Sequence, residues 1–123
     1  MFYELRQYDI YPELWDEYLV WAETKAFPVL FDELRFPLVG FWENVAKDGG
    51  PEPTSNILWI LAWKSEEEMR EKWAAWRAAP QYKAIWEGVG DPVTGQSKYH
   101  RQIRSTLLRS LPITGKYDTL LPQ

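Results

Sequence analysis

The sequence predicts an α+β domain with the element order βαββαβ: a four-stranded antiparallel sheet with helices on one face. Three observations carry this. Residues 2–10, 36–45, 57–63 and 99–111 are rich in β-formers, either alternating or apolar on both sides. Two stretches between them, opened by Pro12 and by Ser65, repeat their apolar residues at spacings of three and four. Their order along the chain is that of the split βαβ, or ferredoxin-like, arrangement.

Each element has its own signal. In FYELRQYDI, residues 2–10, Glu4 and Arg6 stand two apart and so share one face of a strand with Phe2 and Tyr8. Pro12 then suits the first turn of a helix, and Leu14, Trp15, Tyr18, Leu19 and Ala22 give that helix an apolar stripe. Pro28 lacks the N–H that a continuing helix needs, so a kink or break is expected near Phe27, with a second short piece running to about Arg35. FPLVGFWENV, residues 36–45, and ILWILAW, residues 57–63, are apolar on both faces, as strands covered on both sides would be. Between them AKDGGPEPTSN, residues 46–56, has two glycines and two prolines and reads as a hairpin-like connection. Ser65 and Glu68 form a capping box, followed by Met69, Trp73 and Trp76 on one helical stripe. Such a stripe lines either a core or a ligand. Pro80 opens a last short helix with Tyr82, Ile85 and Trp86 on one side, and GVGDPVTGQS, residues 88–97, is a loop without the third glycine of a phosphate cradle.

The chain of 123 residues suits one domain, assigned here to residues 1–111, with an arm from 112 to 123. A net charge of −4 argues against nucleic acid, since a grip on phosphates needs a basic surface. No cysteine is present, which excludes disulfides and thiolate chemistry. The longest apolar run is the seven residues of ILWILAW, too short to span a bilayer, and no signal-peptide pattern opens the chain. A soluble cytoplasmic protein is expected. Eight Trp, seven Tyr and five Phe are many for so small a fold, and point either to an oligomer seam or an aromatic ligand or to an aromatic-rich core with some rings at the surface. With helices on one face, the apolar far side of the sheet would be bare in a monomer. Packing against the sheet of a second copy would cover it.

Three motifs in order add a resemblance. YELRQYDIYPELWDEY, with Tyr3, Glu4, Leu5, Arg6, Tyr8, Pro12 and Tyr18, resembles the opening signature of NIPSNAP proteins. LVGFW, residues 38–42, is similar to that family's second strand, and LLRSLP, residues 107–112, to its final motif. The resemblance covers nearly the whole chain and implies the dimeric α/β-barrel superfamily, in which two ferredoxin-like units join their sheets. Many relatives read H-L-W-x-Y in the third strand, where this chain has Trp59, Ile60, Leu61, Ala62 and Trp63, so a histidine there is missing. The wider superfamily includes cofactor-free monooxygenases, isomerases, haem enzymes and binding proteins, and the fold does not choose among them.

Candidate chemistry follows from the charged and aromatic residues. From Pro92 to Tyr117 there is no Asp or Glu, while Lys98, Arg101, Arg104, Arg109 and Lys116 are basic. These arginines either hold an anion or pair across strands with Glu4 and Asp9. His100 is the only histidine and the natural general base, with Arg6 as its catalytic companion; its structural alternative is a packed or surface residue. One histidine makes no histidine-rich metal site, and no H-E-x-x-H, EF-hand or G-x-S-x-G pattern occurs. The enzyme reading is therefore cofactor-free, metal-free transformation of a small apolar or aromatic molecule, neutral or anionic. Tyr8, Tyr18, Trp42, Trp59 and Trp63 would supply walls, and Arg6, His100 and Arg104 polarity. The competing reading is a noncatalytic homodimeric binding or adaptor protein with structural Glu4 and Arg6.

Overall fold

The structure, a computed structural model, describes residues 2–113. Four strands, β1 (Phe2–Ile10), β2 (Leu38–Glu43), β3 (Ile57–Trp63) and β6 (His100–Arg109), form one antiparallel sheet in the order β2-β3-β1-β6. With helices between β1 and β2 and between β3 and β6, this is the ferredoxin-like arrangement expected from the sequence. The arm expected from Pro112 lies, from residue 114 onward, outside the described residues.

The helix after β1 differs from the expected broken one. α1 (Trp15–Trp21) continues through wide turns at Ala22–Ala26 and Pro28–Glu33, with Phe27 between them still at helical angles. The cause is the hydrogen-bond pattern: the Phe27 N–H reaches back five residues to the Ala22 carbonyl, and Leu34 does the same to Val29. Widening the turns on either side of Pro28 accommodates its ring and missing donor without breaking the helix.

α2 (Glu66–Ala78) starts at the predicted cap. The Ser65 hydroxyl accepts from the Glu68 N–H at 3.1 Å, and the Glu68 carboxylate accepts from the Lys64 N–H at 2.9 Å. A short α3 (Tyr82–Trp86) follows, and the segment read as a loop contains a small hairpin of β4 (Gly90–Asp91) and β5 (Gln96–Ser97). Gly90 is needed there, because a Cβ would stand 2.2 Å from the Gln96 carbonyl oxygen.

β3 shows how the sheet divides its faces. Ile57, Trp59, Leu61 and Trp63 are buried beneath the helices, while Leu58, Ile60 and Ala62 face the other way and are half-buried. In β1 the same parity sends Glu4, Arg6, Tyr8 and Ile10 to the helix side and Tyr3, Leu5, Gln7 and Asp9 to the open side. No helix covers that open side among the described residues. Asn56 closes the long connection onto β1 through two 2.8 Å bonds: its Oδ1 accepts the Ile10 N–H, and its Nδ2 donates to the Ile10 carbonyl.

Candidate functional site

Glu4 organises the region where sheet and helices meet. Its Oε1 accepts the indole N–H of Trp63 at 3.0 Å and of Trp73 at 2.8 Å, and its Oε2 accepts from the Ser105 hydroxyl at 3.1 Å and the Arg6 Nη1 at 3.2 Å. Four donors satisfy a carboxylate on a residue that is only 4 % exposed. A buried charge is tolerated when it is paired and hydrogen-bonded in this way. Arg6 in turn donates through Nε to the Tyr8 hydroxyl at 3.1 Å and lies against three rings, nearest Trp73 at 4.8 Å. Burial by itself lowers the Arg6 pKa, but Tyr8 and Glu4 outweigh it and the net shift is upward.

Beside this cluster lies a cavity of about 490 Å³, within the size range of small-molecule sites. The sheet contributes Glu4, Arg6 and Tyr8 from β1, Trp59 from β3, and His100 and Ile103 from β6. The helices contribute Tyr18 and Trp21 from α1, Phe27 and Leu30 from the wide turns, Trp73 and Trp76 from α2, and Trp86 from α3. Pro92 to Gly95 of the small hairpin complete it, held by a 2.6 Å bond from the Tyr82 hydroxyl to the Pro92 carbonyl. Aromatic rings pack edge-on around it: Tyr8 meets His100 at 4.5 Å and 88°, and Trp59 at 6.0 Å.

His100 is buried, with Nδ1 against the Ser97 hydroxyl and Nε2 without a partner. Burial, reinforced by the Arg6 charge, lowers its pKa to about 4, so the ring is neutral at pH 7. Burial and the nearby Tyr8 also raise the Tyr18 phenol well above its usual range, against the pull of Arg6. The indole N–H groups of Trp59 and Trp86 are likewise buried and unpartnered.

Of the residues singled out in the sequence, Arg6, Tyr8, Tyr18, Trp59 and His100 converge on this cavity. Trp42, Trp63 and Arg104 do not line it. Trp63 is fully buried with its indole spent on Glu4, behind the cavity wall. Trp42 pairs with Leu58 on the open side of the sheet, its ring over Gly40, and is 46 % exposed. Arg104 stands opposite Gln7, also on the open side, and donates to the Thr54 hydroxyl at 3.0 Å. Pairing parity separates it from Arg6, and the register shift opposite Asp9 and Ile10 separates it from His100, which four residues of regular strand would have put on the same face. Sequence reasoning left Glu4, Trp73, Trp76 and Trp86 out of the site. The Glu4–Arg6 spacing and the Met69–Trp73–Trp76 stripe were the available signals. Ser97 had none, because its role depends on the small hairpin.

Among the described residues, no cluster of three or more His, Cys, Asp or Glu could hold a metal ion, and no helix is long and apolar enough to cross a membrane.

No protein-family model matches the chain, and no curated protein does. Solved structures do. A NIPSNAP family protein with unknown function from Agrobacterium tumefaciens is 20% identical, with a TM-score of 0.70 over 91% of this chain and 95% of that one. An uncharacterized NIPSNAP domain protein from Burkholderia xenovorans is 19% identical, with a TM-score of 0.67 over 91% and 96%. A second Agrobacterium tumefaciens NIPSNAP family protein is 16% identical, with a TM-score of 0.67 over 90% and 86%. At these identities the likeness is one of architecture, and in architecture this chain has the fold of solved NIPSNAP family proteins.

Proposed function

We propose that the chain is a NIPSNAP-like protein that binds a small, largely apolar, aromatic molecule between its sheet and helices. The observation that carries this is the 490 Å³ cavity, walled by aromatic rings and with Arg6 and His100 among its lining residues. Arg6 brings a positive charge to this lining, and the one carboxylate there, Glu4, already accepts four hydrogen bonds, so the aromatic walls and the guanidinium set what an occupant would meet. The reading calls on no metal ion and no nucleotide cofactor. Arg6 and His100 are the polar contacts through which binding would pass into chemistry; without turnover, the same cavity serves a binding protein.

The open side of the sheet supports a homodimer in this reading. Trp42 and Leu108 are each more than two-fifths exposed there, beside half-buried Leu58 and Ile60. A second copy's sheet is the partner of matching shape and chemistry.

The test is a tryptophan-fluorescence titration with small aromatic and aliphatic carboxylates, aldehydes and quinones. Trp21, Trp59, Trp73, Trp76 and Trp86 all line the cavity and report on it. Saturable quenching that weakens in Arg6→Met, with the fold intact by circular dichroism, is the expected result. A flat signal across the panel would end the proposal.

A further inference from the structure

We infer that the small hairpin of β4 and β5 is a flap over the cavity, latched by one hydrogen bond from Tyr82, and that the ligand enters and leaves by its opening. The inference rests on the small-molecule reading above and adds the route.

The walls of the cavity are not held alike. Every apolar or aromatic residue that the sheet and helices give the lining belongs to the hydrophobic core or packs against it. Val89 and Tyr99, on either side of the hairpin, belong to that core too. No residue from 90 to 98 does, although Pro92 to Gly95 line the cavity.

The hairpin is fastened at its base. The Lys98 N–H donates to the Val89 carbonyl at 2.7 Å, and the Gln96 side-chain amide to the His100 carbonyl at 2.7 Å. Its tip is self-contained: Asp91 accepts the Val93 N–H on Oδ1 at 2.8 Å and the Gly95 N–H on its carbonyl at 2.9 Å. These bonds keep the turn's shape without help from the rest of the protein, so the tip can swing as a unit. Gly90, without a side chain, lies between that turn and the fastened base, where a swing bends the chain.

One hydrogen bond ties the tip to a helix: the Tyr82 hydroxyl donates to the Pro92 carbonyl at 2.6 Å. Tyr82 itself is held by the cavity wall. Its ring stands edge-on to Trp76 at 5.1 Å and lies 6.1 Å from Trp86, and both indoles line the cavity. Val93, next along the tip, is 88 % exposed, so its side chain adds little to the latch. A single hydrogen bond at the surface opens by local fluctuation, whereas parting the sheet from the helices would expose core; of all the lining, the tip is the part that moves at least cost.

Because the chain has no cysteine, one introduced thiol reports the opening without any ligand. Ala26→Cys places it on a lining residue that is 4 % exposed, with Leu30→Cys as a second buried site, and Val93→Cys on the tip is the exposed reference. Methyl methanethiosulfonate should label the two lining positions at least about tenfold more slowly than the reference, and Tyr82→Phe, which keeps the ring and removes the latch, should speed them at least about threefold. These rates should stay flat in dilute urea, since a swing of the tip exposes little surface. Equal rates at lining and reference positions, no acceleration in Tyr82→Phe, or a steep urea dependence would each overturn the flap. A second arm follows 4-nitrobenzoate by stopped-flow tryptophan quenching. Tyr82→Phe should raise its association and dissociation rates together, by at least about threefold, and leave Kd within about twofold, because the latch is made with and without ligand. A weaker Kd with an unchanged association rate would make Tyr82 a contact residue and overturn the flap. If neither 4-nitrobenzoate nor the rest of the panel binds while the thiol rates respond, the small-molecule reading falls and the ligand route with it, and the motion of the tip stands.

Discussion

The two sides of β1 carry one carboxylate–arginine pair each, and their surroundings make them different objects. On the helix side Glu4 and Arg6 belong to the same strand and are enclosed, with two tryptophans and Ser105 completing the carboxylate's shell. On the other side Asp9 takes Arg101 from β6 in a two-bond contact at 2.7 and 3.0 Å, with the arginine largely in solvent. The first pair joins β1, β3, β6 and α2 at the edge of a cavity; the second ties two neighbouring strands. Chemical type is shared, so the contrast teaches that enclosure decides what a pair contributes.

The contrast can be broken by deletion. Glu4→Ala strands Arg6, two indole N–H groups and a hydroxyl, and should cost about 3–5 kcal/mol of unfolding free energy in urea denaturation. Asp9→Ala should shift the midpoint only slightly, because solvent replaces its partner. Equal losses at both sites would show that enclosure is not what separates them.

Next in size is the effect of acid on the enclosed side. The folded pKa of His100, about 4, lies below its ordinary 6.5, so the unfolded chain binds the proton first as pH falls. Its contribution is fully present above 6.5 and is lost progressively down to about 4, amounting to roughly 3 kcal/mol. Denaturation at pH 7 and pH 4.5 in the wild type and in His100→Gln isolates this term, since carboxylate effects are common to both. An unchanged difference between the two pH values in the variant would remove His100 from the account.

The open side is sharpened by Ile60→Asp, which puts a charge among Leu58, Trp42 and Leu108 while pointing away from the cavity. Sedimentation should show the dimer dissociation constant rising by at least about 100-fold, with ligand quenching retained. A wild type already monomeric at micromolar concentration would defeat the dimer proposal. Smallest is Gly40→Ala: the added Cβ would sit 2.2 Å from the Trp42 ring, which is exposed enough to swing aside. A loss under about 1 kcal/mol is expected, with a shift in tryptophan emission as the marker.

The sequence by itself determined the order of elements, the sheet and its sidedness, because periods of two and of three to four are local properties of a chain. ILWILAW states its own two-faced burial, and S-x-x-E its own helix start. It also brought Glu4 and Arg6 to one face, and singled out Tyr8, Tyr18, Trp59 and His100, which the structure gathers around one cavity. Local rules misjudged Pro28, whose effect depended on how far neighbouring turns could widen. Tertiary structure alone decided which atoms met. Glu4 finds three of its four donors 59, 69 and 101 residues away, Trp63 is turned behind the cavity wall, and Arg104 is sent to the far face by a register that two strands set together. Hydrogen-bond partners separated by half a chain leave no periodic trace in sequence, and they fix whether a charge is enclosed.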